Sequence, residues 1–389
     1  MIKNKNSVIF MTLIFIVLIF LFIGCEEKES IPDKPAEISG LEFEERVPLQ
    51  YANQFAIDRY SGGCSAIYAA DGSKYLLVPE SADIPEKSES QWKIIRTPVS
   101  DVYMAATAVM SSFDSIGAGR AIKFSGTKAE NWYIEYAKNA MENGEMLYAG
   151  KYSEPDYEML VSKNCPLAVE STMIEHTPEV KEKLEELGIT VFIDYSSYEQ
   201  HPLGRSEWVK VYGEMLGKQA EAENVFNEQA NKFETIKNIN TEKTVVFFYI
   251  NQAGQAVTRK SGDYITKMIT LAGGKNIFKN LGGEGTSAVT MEMEKFYATA
   301  KDADIIIYNS TIDGEVKSTN QLIEKNNLLA DFKAVKEGNA WCTKNNFFQE
   351  TMRTGDFISD LHSVFTETTD KNPPVFLYRL ESGGNDELS

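Results

Sequence analysis

The side chains able to do covalent or metal chemistry are few and scattered. The three histidines, His176, His201 and His362, stand far apart. Cys64, Cys165 and Cys342 are isolated too, and an odd set this widely spaced gives neither a zinc cage nor a disulfide framework. A hydrolase needs a nucleophile with a base, or a metal with its ligands, and neither a G-x-S-x-G elbow nor an H-E-x-x-H pair occurs. The stretch Gly282-Gly283-Glu284-Gly285 lacks the lysine and the following helix of a phosphate loop. No resident cofactor is expected. What the sequence does offer is polar clusters that close apolar runs: Glu170-Ser171-Thr172 after Pro166–Val169, and Asn309-Ser310-Thr311 after Asp304–Ile307. Such clusters suit non-covalent recognition.

Those two clusters end stretches of the same design. Each has an acidic helix start (Glu154-Pro155-Asp156 before Tyr157; Thr290 with Glu292 and Glu294), then a helix, a buried strand and a polar turn. Continuously apolar strands predict parallel sheets covered on both faces, and the repetition predicts two α/β lobes. Between them, residues 204–236 carry no proline, and Val209, Tyr212, Leu216, Ala220, Val225, Ala230 and Phe233 approximate a helical stripe. A helix of about 30 residues would span roughly 45 Å, which suits a spacer between the lobes. Other elements are a hairpin of Ala66–Tyr68 and Tyr75–Val78 about Asp71-Gly72, a strand at Trp92–Arg96, and a helix over Tyr103–Ile116. Further strands are expected at Glu145–Gly150, Thr244–Ile250, Asn339–Cys342 and Val375–Leu380, and helices at Tyr264–Leu271, Asp331–Lys336 and Gly355–Val364.

The chain has 389 residues, with 39 Lys+Arg against 57 Asp+Glu and a net charge of −18. That excess of acid argues against nucleic-acid partners. At the N-terminus, Lys3 and Lys5 precede an apolar run from Val8 to Ile23, shorter than a membrane span of about 20 residues but suited to a signal-peptide core. The run ends at Phe22-Ile23-Gly24-Cys25, which resembles a lipobox and implies cleavage before Cys25 and acylation of its thiol. Removing residues 1–24 takes the net charge to −20. The expected organisation is a signal at 1–24, a flexible tether at 25–42, an N-terminal lobe at 43–203 and a linking helix at 204–237. A C-terminal lobe at 238–381 and a tail at 382–389 complete it.

In order and spacing, several motifs together resemble the extracytoplasmic substrate-binding proteins of ABC importers, in the class whose two lobes are joined by one long helix. They are Glu154-Pro155-Asp156-Tyr157-Glu158, Leu187-Gly188-Ile189-Thr190-Val191, the run His201-Pro202-Leu203-Gly204-Arg205-Ser206-Glu207-Trp208-Val209-Lys210, Ala272-Gly273-Gly274-Lys275-Asn276, Ala303–Tyr308 and Phe332–Gly338. The resemblance covers most of residues 48–380. It implies two Rossmann-like lobes bridged by a single helix, a ligand cleft between them, and capture of a ferric siderophore, haem or cobalamin. Delivery would be to a permease with its ATPase, by a monomer tethered outside the cytoplasm through Cys25. It also implies one surface glutamate per lobe that pairs with permease arginines: Glu158 on the first, and Glu292 or Glu294 on the second. The ligand would lie outside the carboxyl ends of the parallel strands. That nominates Tyr103, Lys151, Tyr152, Glu170, Ser171 and Thr172 on one side. Asn251, Gln252, Asn309, Ser310 and Thr311 are nominated on the other, with Lys344, Arg353 and Arg259 available to an anionic ligand. His201 and Arg205 are expected to hold the helix entry instead. A lipid-anchored receptor or adhesin, or a secreted hydrolase, remain the alternatives.

Overall fold

The computed structural model describes residues 31–86, 91–279, 281–282 and 288–382. The signal segment, Cys25 and the end of the tail lie outside the described residues, as does Gly283-Glu284-Gly285. Among the described residues no helix is long and apolar enough to cross a membrane.

The first sheet runs β1 (Phe43–Arg46), β2 (Phe55–Tyr60), β3 (Cys64–Ala69), β4 (Lys74–Pro79) and β5 (Lys93–Thr97) in that spatial order, antiparallel except for the β4–β5 pair. Its strands alternate between two cores, as the period of two dictates. Ile57, Ile67, Tyr75 and Leu77 face the N-terminal lobe, whereas Ala56, Tyr60, Ala66, Tyr68, Leu76 and Val78 form a separate outer cluster. Ile31, Ala36, Ile38 and Leu41 cover that cluster. The Tyr60 hydroxyl donates to the Ala36 carbonyl at 2.7 Å, the Ala36 amide donates to the Tyr68 hydroxyl at 3.2 Å, and Arg46 reaches the Pro32 carbonyl at 2.8 Å. Residues 31–42, expected as flexible tether, are therefore a strap bound across the sheet. Their apolar residues, diluted by charge, did not show this in sequence.

The N-terminal lobe proper is a parallel sheet, ordered β12-β11-β6-β7-β8. It consists of β6 (Val102–Met104), β7 (Ile122–Ser125), β8 (Leu147–Tyr148), β11 (Leu167–Ser171) and β12 (Thr190–Asp194), with a two-residue ladder of β9 (Gly150–Lys151) and β10 (Glu154–Pro155) beside it. The helix expected over Tyr103–Ile116 forms only at α1 (Met110–Ser115), because residues 102–104 are buried as the sheet's central strand. Helix α2 (Tyr157–Ser162) begins as expected, with Asp156 Oδ1 accepting from the Met159 amide.

The bridge between the lobes is shorter than one helix over 204–237. Helix α3 (Pro202–Glu207) sits at the junction, with Leu203 in the C-terminal core, and α4 (Val209–Leu216) packs in the N-terminal core. Gly217 adopts a left-handed φ of 64°, and only then does α5 (Gln219–Glu234, 16 residues) cross. At 1.5 Å per residue α5 spans about 24 Å. Its Ala222, Phe226 and Ala230 pack in the N-terminal core and its Phe233 in the C-terminal one. The apolar stripe continued through the break because α4 and α5 both bury it, so only the lone glycine marked the turn.

The C-terminal lobe is a seven-stranded mixed sheet ordered β16-β14-β13-β17-β18-β19, with β15 also paired to β13. The strands are β13 (Thr244–Ile250), β14 (Ala256–Arg259), β15 (Lys275–Asn276), β16 (Ala288–Met291), β17 (Ile305–Tyr308), β18 (Ala340–Thr343) and β19 (Leu377–Arg379). The trio β13, β17 and β18 is parallel. Alternate residues of β13 feed opposite cores: Val246, Phe248 and Ile250 one, Val245 and Phe247 the other. Helices on both faces explain its unbroken apolar sequence. Among them, α6 (Tyr264–Leu271) has the limits expected from sequence. Helix α7 (Met293–Ala300) is entered through Glu292, not Thr290, which belongs to β16. Helix α8 (Ser310–Asp313) follows β17, and α9 (Thr354–Phe365) lies against α5. The architecture is α/β with parallel strands at the heart of two lobes.

Candidate functional site

Several of the sequence nominees lie at or just past the parallel strands β6, β11, β13 and β17, whereas Lys151, Arg259 and Arg353 do not, and most of their polar groups are already engaged. On the N-terminal side, Tyr103 is fully buried on β6 and its hydroxyl donates to the Gly150 carbonyl at 2.9 Å. Burial, with Glu170 nearby, pushes its pKa up. Glu170, on neighbouring β11, is also fully buried, and neither carboxylate oxygen accepts a hydrogen bond from a described residue. That burial pushes its pKa up to about 8. Ser171 Oγ accepts from the Met173 amide at 3.4 Å, beside half-buried Thr172. Lys151 is exposed and paired with Glu154 at 3.0 Å, and half-buried Tyr152 follows it.

On the C-terminal side, Asn251 Oδ1 accepts from the amides of Ala253 and Gln255 at 3.0 and 2.9 Å, closing the turn after β13. Asn251 and exposed Gln252 line a pocket of about 400 Å³ with Tyr249, Ile312 and Asp313. Asn309 is buried, and its Oδ1 accepts from the amide and hydroxyl of Thr311 at 3.2 and 2.6 Å, capping α8. Ser310 is buried against Thr343, with their hydroxyls 3.0 Å apart. Lys344 is exposed just past β18. Arg353 is held by Asp356 at 2.9 Å and lies over Phe376, so its guanidinium is engaged within the C-terminal lobe. Arg259 lies 3.8 Å from Asp263 and over Phe247.

The two lobes meet through residues 347–352, which sequence reasoning missed. The buried Gln349 side chain accepts from the Tyr133 amide at 2.8 Å and donates to the Asn131 carbonyl at 2.8 Å. Thr351 donates to the Ala108 carbonyl, the Met352 amide donates to Ser111 Oγ, and Met352 enters the N-terminal core. The rings of Phe348 and Tyr133 meet edge to face at 6.2 Å. The only sequence signal was a polar-aromatic run, Asn345 to Gln349, past an expected strand.

The helix entry is built on three buried acids. Glu207 accepts from the amides of Gln50, Tyr51 and Ala52 and from the Lys210 ammonium. Glu199 accepts from Asn53, Gln54 and Trp208 Nε1, and Asp194 from Ser196 and the Tyr212 hydroxyl. His201 Nδ1 accepts from the Leu203 amide, and its ring stacks on Tyr51 at 4.4 Å. Arg205 reaches the Ser197 carbonyl and covers Tyr264 of the other lobe at 3.9 Å.

Glu158 and Glu294 are exposed in the first turns of α2 and α7, one on each lobe. Glu292 is exposed as well, but accepts from Gln255 at 2.7 Å. Cys64, Cys165 and Cys342 are buried and unpaired. Among the described residues no group of three or more His, Cys, Asp or Glu side chains could hold a metal ion.

Comparison with known proteins meets this geometry. The uncharacterized lipoprotein MJ0872 of Methanocaldococcus jannaschii is 27% identical over 403 aligned positions, 97% of each chain. A periplasmic binding protein from Veillonella parvula superposes with a TM-score of 0.56 at 20% identity, covering 76% of this chain and 95% of its own. The periplasmic heme binding protein HutB of Vibrio cholerae does so at 0.55 and 15%, covering 68% and 99%. These structures are matched almost whole, while a quarter to a third of this chain is left over. The periplasmic binding protein family model matches residues 114–346, well over half the chain. The strap and first sheet precede that match, and the chain belongs to the periplasmic binding protein family.

Proposed function

We propose that this chain is the lipid-anchored, extracytoplasmic substrate-binding component of an ABC importer. It captures a chelated metal compound, such as a ferric siderophore, haem or cobalamin, and delivers it to a membrane permease whose ATPase supplies the work. The observation that carries this reading is the pair of lobes with parallel strands, bridged by α5 and pinned by residues 347–352. Such a frame binds ligand with little rearrangement. The family match, the names of the Methanocaldococcus relatives and the sequence before Cys25 support it. Glu158 and Glu294 are the docking acids, one per lobe, each exposed to meet an arginine. The test pairs ligand affinity with uptake in cells carrying the cognate permease. Glu158→Lys should lower uptake about tenfold or more, since like charges at an interface cost several kcal/mol, while leaving ligand affinity unchanged. Unchanged uptake would remove Glu158 from docking, and binding of a peptide or glycan but no metal chelate would overturn the reading.

A further inference from the structure

The strap leaves part of its own apolar face open. Pro35, Ala36, Ile38 and Leu41, together with Phe43 of β1 and Tyr60 of β2, line a groove of about 340 Å³, with Lys34 and Glu37 beside them. Phe43 is 44% exposed, and its ring meets buried Tyr60 edge to face at 5.9 Å. β1 is the edge strand of its sheet, and three of its four residues are exposed. A lone exposed ring is ordinary, but one that borders an apolar groove extends a continuous apolar surface.

Position and charge select what covers this surface. Among the described residues the strap packs from Ile31, six residues after Cys25. A group held on so short a linker meets its neighbour at a millimolar effective concentration, so a contact too small to bind alone is still populated. Exposed Glu37, Glu42 and Glu44 stand in and beside the lining segment against Lys34, which disfavours an anionic surface. A second copy fits no better: antiparallel pairing about the middle of β1 would set Glu44 opposite Glu45, and like charges there repel. An uncharged boundary between headgroup and hydrocarbon suits both the apolar groove and the ring at its border.

We infer that the strap groove, with Phe43 beside it, is a membrane-contact surface whose partner is the neutral lipid interface around the anchor. The inference rests on the anchored reading of Cys25 and adds a second, non-covalent point of contact to it.

The test couples a chain beginning at Cys25, through that thiol, to a maleimide lipid in phosphatidylcholine vesicles, so the contact is read whether or not cells acylate the cysteine. Cys64, Cys165 and Cys342 are buried, which directs coupling to Cys25. The four native tryptophans are also buried, at 7% exposure or less, so an introduced one supplies the exposed signal. In Phe43→Trp the added emission should shift to the blue on coupling and be quenched by brominated phosphatidylcholine. In Ile239→Trp, at a residue 43% exposed on the C-terminal lobe after α5, neither change should occur. Replacing part of the phosphatidylcholine with an anionic lipid should lessen the quenching at position 43. Absent quenching there, or equal quenching at both positions, would overturn the inference. Quenching that grows with anionic lipid would overturn it too, by assigning the contact to Lys34. A blue shift without quenching that rises with the density of coupled chains would mean that a second copy covers the groove. Cys25 found unacylated in cells would overturn the anchored reading instead, and the coupled chain would still report on the groove.

Discussion

The helix entry and the end of β11 both bury a glutamate completely, with opposite consequences. Glu207 accepts three backbone amides and a lysine ammonium, whereas Glu170 accepts nothing from the described residues. Burial removes hydration from both; only at Glu207 do fixed donors replace it. A fully buried carboxylate can therefore be either a structural post, which suspends residues 50–52 from α3, or a group held neutral near physiological pH. Gln349 is the intermediate case: buried, neutral and satisfied.

Three substitutions separate these cases. The largest loss is expected from Glu207→Ala, which strands three amides and takes from the buried Lys210 ammonium one of its carboxylate partners, leaving it Glu223 and the Pro48 carbonyl. Breaking such a buried pair costs about 3–5 kcal/mol, readable as a lower urea midpoint. Next comes the pH dependence set by Glu170. The folded chain keeps its proton up to about pH 8, whereas the unfolded chain releases it near 4.5. The folded state thus binds the extra proton, and stability falls as pH rises through that window, by up to about 1.4 kcal/mol per unit. Asp360, pushed up to about 6 by burial, shares the lower part of the slope. Glu170→Gln should flatten the slope between pH 6 and 8; an unchanged slope would mean that the carboxylate is ionised and partnered. The smallest effect is expected from Gln349→Ala, which leaves the Tyr133 amide unpaired and costs about 1–3 kcal/mol. Because it releases the segment joining the two lobes, it should also speed hydrogen exchange at Tyr133 and Ile134 while sparing β13.

Much of this was legible in sequence where pattern and packing agree. Thr244–Ile250 could only be a strand buried on both faces, and Tyr264–Leu271 has a helical stripe closed by Gly273-Gly274. Asp156 announces its cap because that signal is local. Sequence was mute where one pattern serves two structures: the stripe through Gly217 fits one helix or two, and Tyr103 in an Ala/Met-rich run fits a helix as well as a buried strand. For the site, proximity to strand ends was readable but hydrogen-bond engagement was not. Asn309 and Ser310 sit where expected, yet bond within their own lobe. The Gln349 bridge joins residues more than 200 positions apart, and no local spacing encodes that.

The strap across the first sheet would also limit how far a chain anchored at Cys25 could travel. Among the described residues packing reaches back to Ile31, six peptide steps from Cys25. An extended chain advances at most about 3.6 Å per step, so an acyl group on Cys25 would allow a leash of only about 20 Å. A protein so held would turn on a short pivot: its first sheet would stay beside the lipid headgroups, and its search for a partner in the membrane would become largely two-dimensional.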